Sequence, residues 1–251
     1  MGRLRILVTR PEPSARRTAG ELAGMGHEPI ILPLTQTLPL QLGAAAPKDS
    51  VAVAITSANA LRHAPPALIA SLAALPCHAV GEKTAQAARA AGFTHVETGA
   101  GDAVALADKI APSLAGKALV YLCGRVRFPA FEEKLAAAGV QVHALESYDT
   151  VPVAYTDSAM AGLLGGQPVD AVLLYSATAA DAVLAMMSRP ALSGHFGGTD
   201  YLCLSQRVGA RLAALDQRHV KIARRPDEAA LLALLPAGDA SASSQRPFSP
   251  V

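Results

Sequence analysis

Tryptophan is absent from this 251-residue chain, and Phe and Tyr together make up only 4% of it. A surface that stacks nucleobases is therefore not expected. Charge of one sign is lacking too. The formal balance of +2 gives no field for bulk nucleic-acid binding. Half of the residues are hydrophobic, yet no apolar run approaches the ~18 residues that would cross a bilayer. MGRLRILVTRP leads straight into a strand without a secretory signal. The cysteines are Cys77, Cys123 and Cys203. They are odd in number, far apart and set in apolar strands, which points to buried reduced thiols rather than a disulfide or metal framework.

Motifs for several large enzyme classes are missing. There is no P-loop, no HExxH and no GxSxG elbow. GAGDAV (99–104) lacks the third glycine and the downstream acid of a dinucleotide fingerprint. VTRPEP supplies only Glu12 where a response regulator needs paired acids. The seven histidines, His27, His63, His78, His95, His143, His195 and His219, show no metal-ligand spacing. They are expected at the surface or at helix caps, and no metal is expected.

What is present is a pattern stated twice. VAVAITSANALRHA (51–64), CHAVGEKTAQAARAAGF (77–93) and THVETGAGDAVALADKI (94–110) parallel DAVLLYSATAADAVLAM (170–186), YLCLSQRVGARLAALDQ (201–217) and HVKIARRPDEAALLALL (219–235). RILVTRPEPSARRTAGELAGMGHEPIILP (5–33) likewise parallels KALVYLCGRVRFPAFEEKLAAAGVQVHALE (117–146). Duplication of this kind implies two similar domains, and two facing domains imply a cleft.

Ten strands are predicted: Ile6–Thr9, Pro29–Leu32, Val51–Ile55, Cys77–Val80, His95–Glu97, Ala118–Leu122, Val140–Leu145, Ala171–Tyr175, Tyr201–Leu204 and His219–Ile222. Most are short continuous apolar runs, as in parallel strands covered on both faces. Ala-rich amphipathic helices lie between them, for example Thr84–Ala91 and Phe131–Ala138. Gly92 and Gly139 should close helices in left-handed conformation, and Asp102 and Asp227 should open them. The alternation predicts an α/β class with doubly wound parallel sheets. Residues 1–34 carry too few strands for a sheet. The economical division joins 1–34 with 154–236 and sets 41–147 apart as a second domain. Residues 35–40 and 148–153 then form a linker that could pair as a two-stranded hinge. The Ser/Ala/Pro-rich tail, 237–251, is expected to be disordered.

Hydroxyls and cations gather where strands give way to helices: Thr9 and Arg10; Thr56, Ser57 and Asn59; Lys83 and Thr84; Arg125; Ser176 and Thr178; Ser205 and Arg207. In open α/β sheets this edge binds ligands, and each group precedes a helix whose free N–H groups suit anions. Helix capping alone accounts for some of them, but not for matching sets in both halves. The pattern points to a ligand with several carboxylates or phosphates. It singles out no acid–base pair.

The chain resembles the uroporphyrinogen-III synthase family from Ile6 to about Leu235. The resemblance is carried by LVTRP (7–11), LAGMGHEPIILPL (22–34), ITSANAL (55–61), AVGEKTA (79–85), AAGF (90–93), GAGDAVALA (99–107), YLCGR (121–125) and SYDTVP (147–152). It implies two flavodoxin-like domains joined by a two-stranded linker. It also implies cyclisation of hydroxymethylbilane, a linear tetrapyrrole with eight carboxylates, to uroporphyrinogen III. The last pyrrole ring is inverted and water is lost, without cofactor or metal. Tyr148 matches the family's tyrosine and is the expected catalytic residue, assisting departure of the hydroxyl. Thr56, Ser57, Asn59, Thr84 and Ser176 match cleft positions by motif. One departure stands out. Where many members carry a Gly-x-Thr-Thr-like turn, this chain has LSQRVGA (204–210), so Ser205 and Arg207 are left to serve the carboxylates. A cytoplasmic monomer with no nucleic-acid or membrane partner follows, with a transient contact to hydroxymethylbilane synthase. The rival reading is a non-catalytic two-domain binding protein for a polycarboxylate.

Overall fold

The computed structural model describes residues 2–43, 46–127 and 129–236; the tail expected at 237–251 lies outside them. In chain order the elements begin β1 (Arg5–Val8), α1 (Ser14–Gly24), β2 (Glu28–Ile31), β3 (Thr35–Pro39), β4 (Ser50–Ile55), α2 (Ala58–His63), α3 (Pro66–Leu72) and β5 (Cys77–Ala79). Next come α4 (Glu82–Ala90), β6 (Val96–Thr98), α5 (Ala103–Leu114), β7 (Ala118–Gly124), α6 (Ala130–Ala137) and β8 (Gln141–Pro152). The chain continues with α7 (Asp157–Leu164), β9 (Ala171–Leu174), α8 (Ala177–Met187), α9 (Pro190–Ser193), β10 (Asp200–Cys203), α10 (Gln206–Gly209), β11 (Val220–Ile222) and α11 (Glu228–Leu232).

The chain divides into two compact units. Unit 1 is Met1–Gln36 with Pro152–Val251, and unit 2 is Thr37–Val151. Unit 1 holds a five-stranded sheet in the order β11-β10-β9-β1-β2, and the second sheet runs β3-β8-β7-β4-β5-β6. Reading β6-β5-β4-β7-β8 against β11-β10-β9-β1-β2 superimposes the two orders, with β7–β8 late in one sequence and β1–β2 early in the other. The β1–β2, β1–β9, β9–β10 and β10–β11 pairs are parallel, as are β4–β5, β4–β7, β5–β6 and β7–β8. The α/β class with doubly wound parallel sheets is therefore the fold.

Each sheet is buried on both faces, so alternate residues enter two separate cores. In unit 1, Leu7, Val172 and Leu174 pack with α7, α8 and α9, while Ile6, Val8 and Leu173 pack with α1 and α11. In unit 2, Val53, Ile55, Val120 and Leu122 pack with α2 and α3. Ala52, Ala54, Leu119 and Tyr121 pack with α5 and α6. Every residue of β7 is buried, which explains its unbroken apolar run. Gly92 and Gly139 take φ values of +103° and +78°. Phe93 then donates its N–H to the Ala88 carbonyl, the long-range bond of a helix closed by a left-handed glycine. Asp102 and Asp227 cap α5 and α11 through the Ala105 and Ala230 N–H groups, each at 2.8 Å.

All ten predicted strands form, and the two stretches expected to pair as a linker do so, as β3 and the last part of β8, which runs on to Pro152. Leu40 donates to the Ser147 carbonyl, and Val153 donates to the Leu34 carbonyl. Numbers rise on one strand as they fall on the other, so β3 and β8 are antiparallel. One expectation needs correction: the histidines depart from the surface-or-cap reading, because His27 and His78 are buried. His78 lies in β5, whose three residues are all covered.

Candidate active site

The carboxyl ends of β4, β5, β7 and β8 bring unit 2's chemistry together. β4 ends in Thr56, whose hydroxyl shares a 2.8 Å hydrogen bond with the Tyr121 phenol. Burial pushes that phenol up to about 12. Ser57 caps α2 by accepting the Asn59 N–H at 3.2 Å. The Asn59 carboxamide oxygen accepts from Arg62. β5 leads to Gly81, which opens α4 without a side-chain cap. A Cβ on Gly81 would stand 3.2 Å from the Gly101 Cα, so the glycines of GEKTA and GAGDAV serve a close backbone approach. Lys83 is exposed and Thr84 buried in the first turn of α4. Arg125, just past β7, has its side chain 55% exposed, with Glu146 at 3.2 Å and Asp149 at 3.3 Å.

Tyr148 is the centre of this edge. It is 8% exposed. Burial raises its phenol above the ordinary value, with the Ser57 side chain pulling the other way. The group therefore keeps its proton at neutral pH. Three residues beside it were not singled out from the sequence. His63 holds its ring 5.7 Å from the tyrosine ring, and its Nε2 is 2.8 Å from the Thr37 hydroxyl on β3. Burial, and then the Arg62 charge, lower the His63 pKa, which keeps this neighbour neutral. Ser147 is fully buried. Gly124 lies so close to Tyr148 that a Cβ there would stand 2.6 Å from the ring. A glycine inside a strand pattern is the available sequence signal for such an approach.

Unit 1 presents a different edge. Ser176 caps α8 through the Ala179 N–H at 3.1 Å. Thr178 lines a cavity of about 240 Å³ with Leu34, Tyr155, Asp181, Met186 and Arg189. Ser205 opens α10 with backbone angles of −157° and 164°, close to the −165° and 175° of Gly81. The matched turn thus survives the change of sequence, although Ser205 makes no side-chain cap there. Arg207 is exposed. Arg10 does not stand open as a strand-end cation. It donates to Glu228 at 2.7 Å and to Thr18 at 3.2 Å, and its guanidinium lies 4.0 Å over the Tyr175 ring. Thr18 and Tyr175 also bond Glu228. Burial alone would raise the Glu228 carboxyl, but the Thr18 hydroxyl and the Arg10 and Arg17 partners hold it at about 2. Thr9 is buried, donating to the Leu173 carbonyl at 2.8 Å.

Among the described residues no cluster of His, Cys, Asp and Glu could hold a metal ion, and no helix is long and apolar enough to cross a membrane. The edges offer hydroxyls, uncapped N–H groups, exposed cations and, in Tyr148, a phenol that keeps its proton, which suits holding a polyanion and donating a proton at one point.

A family model described as uroporphyrinogen-III synthase HemD matches residues 16–233. The match starts after Arg10 and includes every strand-end group from Thr56 onward. No curated protein matches the sequence. Among solved structures, uroporphyrinogen-III synthetase from Helicobacter pylori 26695 is similar in fold. It has 19% identity and a TM-score of 0.65, over 93% of this chain and 98% of that one. A mutant uroporphyrinogen III synthase from the extremely thermophilic bacterium Thermus thermophilus aligns at 15% identity and a TM-score of 0.52, over 92% and 97%.

Proposed function

The chain belongs to the uroporphyrinogen-III synthase family, and from that premise we infer how its residues serve the reaction. It is a lyase that closes hydroxymethylbilane to uroporphyrinogen III, inverting the last pyrrole ring and releasing water. The carbon–oxygen bond to the terminal hydroxyl breaks, and the electron pair leaves with oxygen. Tyr148 supplies the proton that makes the leaving group water. The last ring attacks through its substituted carbon to give a spiro intermediate, which rearranges and closes. A proton lost on rearomatisation restores the phenol, so the net change is loss of one water.

The bilane also closes unaided, to the uninverted isomer, so the enzyme's task is mostly to hold a curled substrate. Thr56, Ser57, Asn59, Lys83, Thr84 and Arg125 in unit 2, and Ser176, Thr178, Ser205 and Arg207 in unit 1, take its carboxylates, together with helix N–H groups. Arg10 is left out, because Glu228 already balances it. The same instability favours direct transfer, so we place the enzyme in the cytoplasm as a monomer. There it meets hydroxymethylbilane synthase in transient contacts.

The observation that supports this reading is Tyr148, a phenol that keeps its proton, paired with the last residue of β7 beside the hydroxyls of that edge. The test is a coupled assay with hydroxymethylbilane synthase. Uroporphyrinogen III should form faster than the spontaneous product. Only the uninverted isomer, at the spontaneous rate, would return the chain to the class of binding proteins.

A further inference from the structure

We propose that Gly124 and Ser147 are positioning residues that fix the ring of Tyr148 for proton donation. The proposal rests on Tyr148 being the proton donor. The β7–β8 ladder pairs Cys123 with Glu146 and then Gly124 with Tyr148. Ser147 is therefore an extra residue in β8, a bulge that re-aims the next side chain. Ser147 and Tyr148 are both buried, so the residue gained by the bulge and the ring it re-aims both lie inside the fold. The Ser147 hydroxyl fixes the bulge. It donates to the Ala60 carbonyl of α2 at 2.8 Å, with the Cys123 carbonyl at 3.3 Å.

The bulge brings the tyrosine ring down onto Gly124. A Cβ at Gly124 would lie 2.6 Å from Cζ and 2.9 Å from both Cε2 and the phenol oxygen. Carbon contacts settle at about 3.5–4.0 Å. An alanine would therefore push the reacting end of the ring outward by about 1 Å. His63, whose ring centre is 5.7 Å away, and the buried core that Tyr148 belongs to limit where the ring could go. Glycine here gives the phenol one seat.

The experiment uses the full chain with Gly124→Ala, Ser147→Ala and Tyr148→Ala, and Gly124→Ala on the Tyr148→Ala background. A displacement of about 1 Å lowers kcat on the order of 100-fold, with KM within about twofold, and more product is the uninverted isomer. Ser147→Ala, which adds no bulk, lowers kcat about tenfold. On the Tyr148→Ala background there is no ring to displace, so adding Gly124→Ala leaves kcat where Tyr148→Ala put it. A readout independent of turnover is the ultraviolet titration of the Tyr148 phenol, which moves toward the ordinary value in both single variants. Parental titration and kcat in Gly124→Ala, or a full further loss on the Tyr148→Ala background, overturn the proposal. Parental turnover in Tyr148→Ala overturns the role of Tyr148 as well, so the two failures are distinct.

Discussion

The ends of β1 and β7 occupy equivalent places in their two sheets and are finished in opposite ways. At β1, Arg10 is enclosed. Its side chain is 16% exposed, paired with Glu228 and stacked on Tyr175. At β7, Arg125 is open, and the adjoining Gly124 is a bare platform under Tyr148. One end is a charged lock between β1, α1, β9 and α11, and the other is a neutral seat for a phenol. A cation at the carboxyl end of a parallel strand therefore says little about anion binding until its own partners are known. If the comparison is right, variants at the seat act on turnover and variants at the lock act on stability.

The largest effect is expected at Tyr148. Tyr148→Phe keeps the ring on Gly124 and removes the proton. We expect kcat to fall about 100-fold, at the low end of what general acids contribute. KM should stay within about threefold, and stability should change by less than about 1 kcal/mol. Steady-state kinetics beside urea unfolding separates these quantities. A stability loss that accounts for the activity loss would erase the contrast between the two strand ends.

Next is the lock. Glu228→Gln leaves Arg10 without its counter-charge and weakens bonds from Thr18, Tyr175 and Arg17. Charge-assisted bonds of this kind suggest a loss of about 2 kcal/mol at pH 7, with kcat unchanged in the folded protein. The pH dependence has a definite sign. The folded carboxyl is held at about 2, below its unfolded value of about 4.3. Its stabilising contribution is therefore complete above about 4.3 and is lost as the pH falls through about 2. Urea midpoints measured between pH 5 and pH 2 should fall more steeply for the parent than for Glu228→Gln. Parallel curves would mean that the lock contributes nothing.

These two ends also show where the sequence is readable. Strands such as β7 and β9 are legible because both faces are buried, which leaves an unbroken apolar run. Caps such as Asp102, Ser57 and Ser176 are legible because their bonds reach only two or three residues along the chain. β3 is legible only from its place between the two domains. TQTLP is polar and mostly uncovered, with a single strand neighbour, so its composition alone does not mark a strand. The partners of the strand-end groups are hidden for a different reason. Arg10 meets Glu228 across 218 positions, and Thr56 meets Tyr121 across 65. Local pattern carries no trace of such contacts. That is why Arg10 reads as a ligand for carboxylates, while Ser147, inside SYDTVP, carries no mark of its own and Gly124, inside YLCGR, only that of a glycine in a strand pattern. Once the repeat pairs β1 with β7, their unlike endings become something to ask about.

The smallest effect, and the finest test of the comparison, lies in the two arginines. Arg125→Ala removes an exposed cation whose pairs with Glu146 and Asp149 are worth at most about 1 kcal/mol. Stability should scarcely move. If Arg125 takes a substrate carboxylate, KM should rise about fivefold, equivalent to ~1 kcal/mol, and more at low ionic strength than at high, because an exposed charge is screened by salt. Arg10→Ala should do the reverse. It leaves Glu228 short of a partner and uncovers the face of Tyr175, so unfolding midpoints fall while KM holds. Measuring both variants at two salt concentrations makes the outcome a pattern rather than a single number. A salt-sensitive KM for Arg10→Ala, with none for Arg125→Ala, would exchange the two roles and place the anion site at the end of β1.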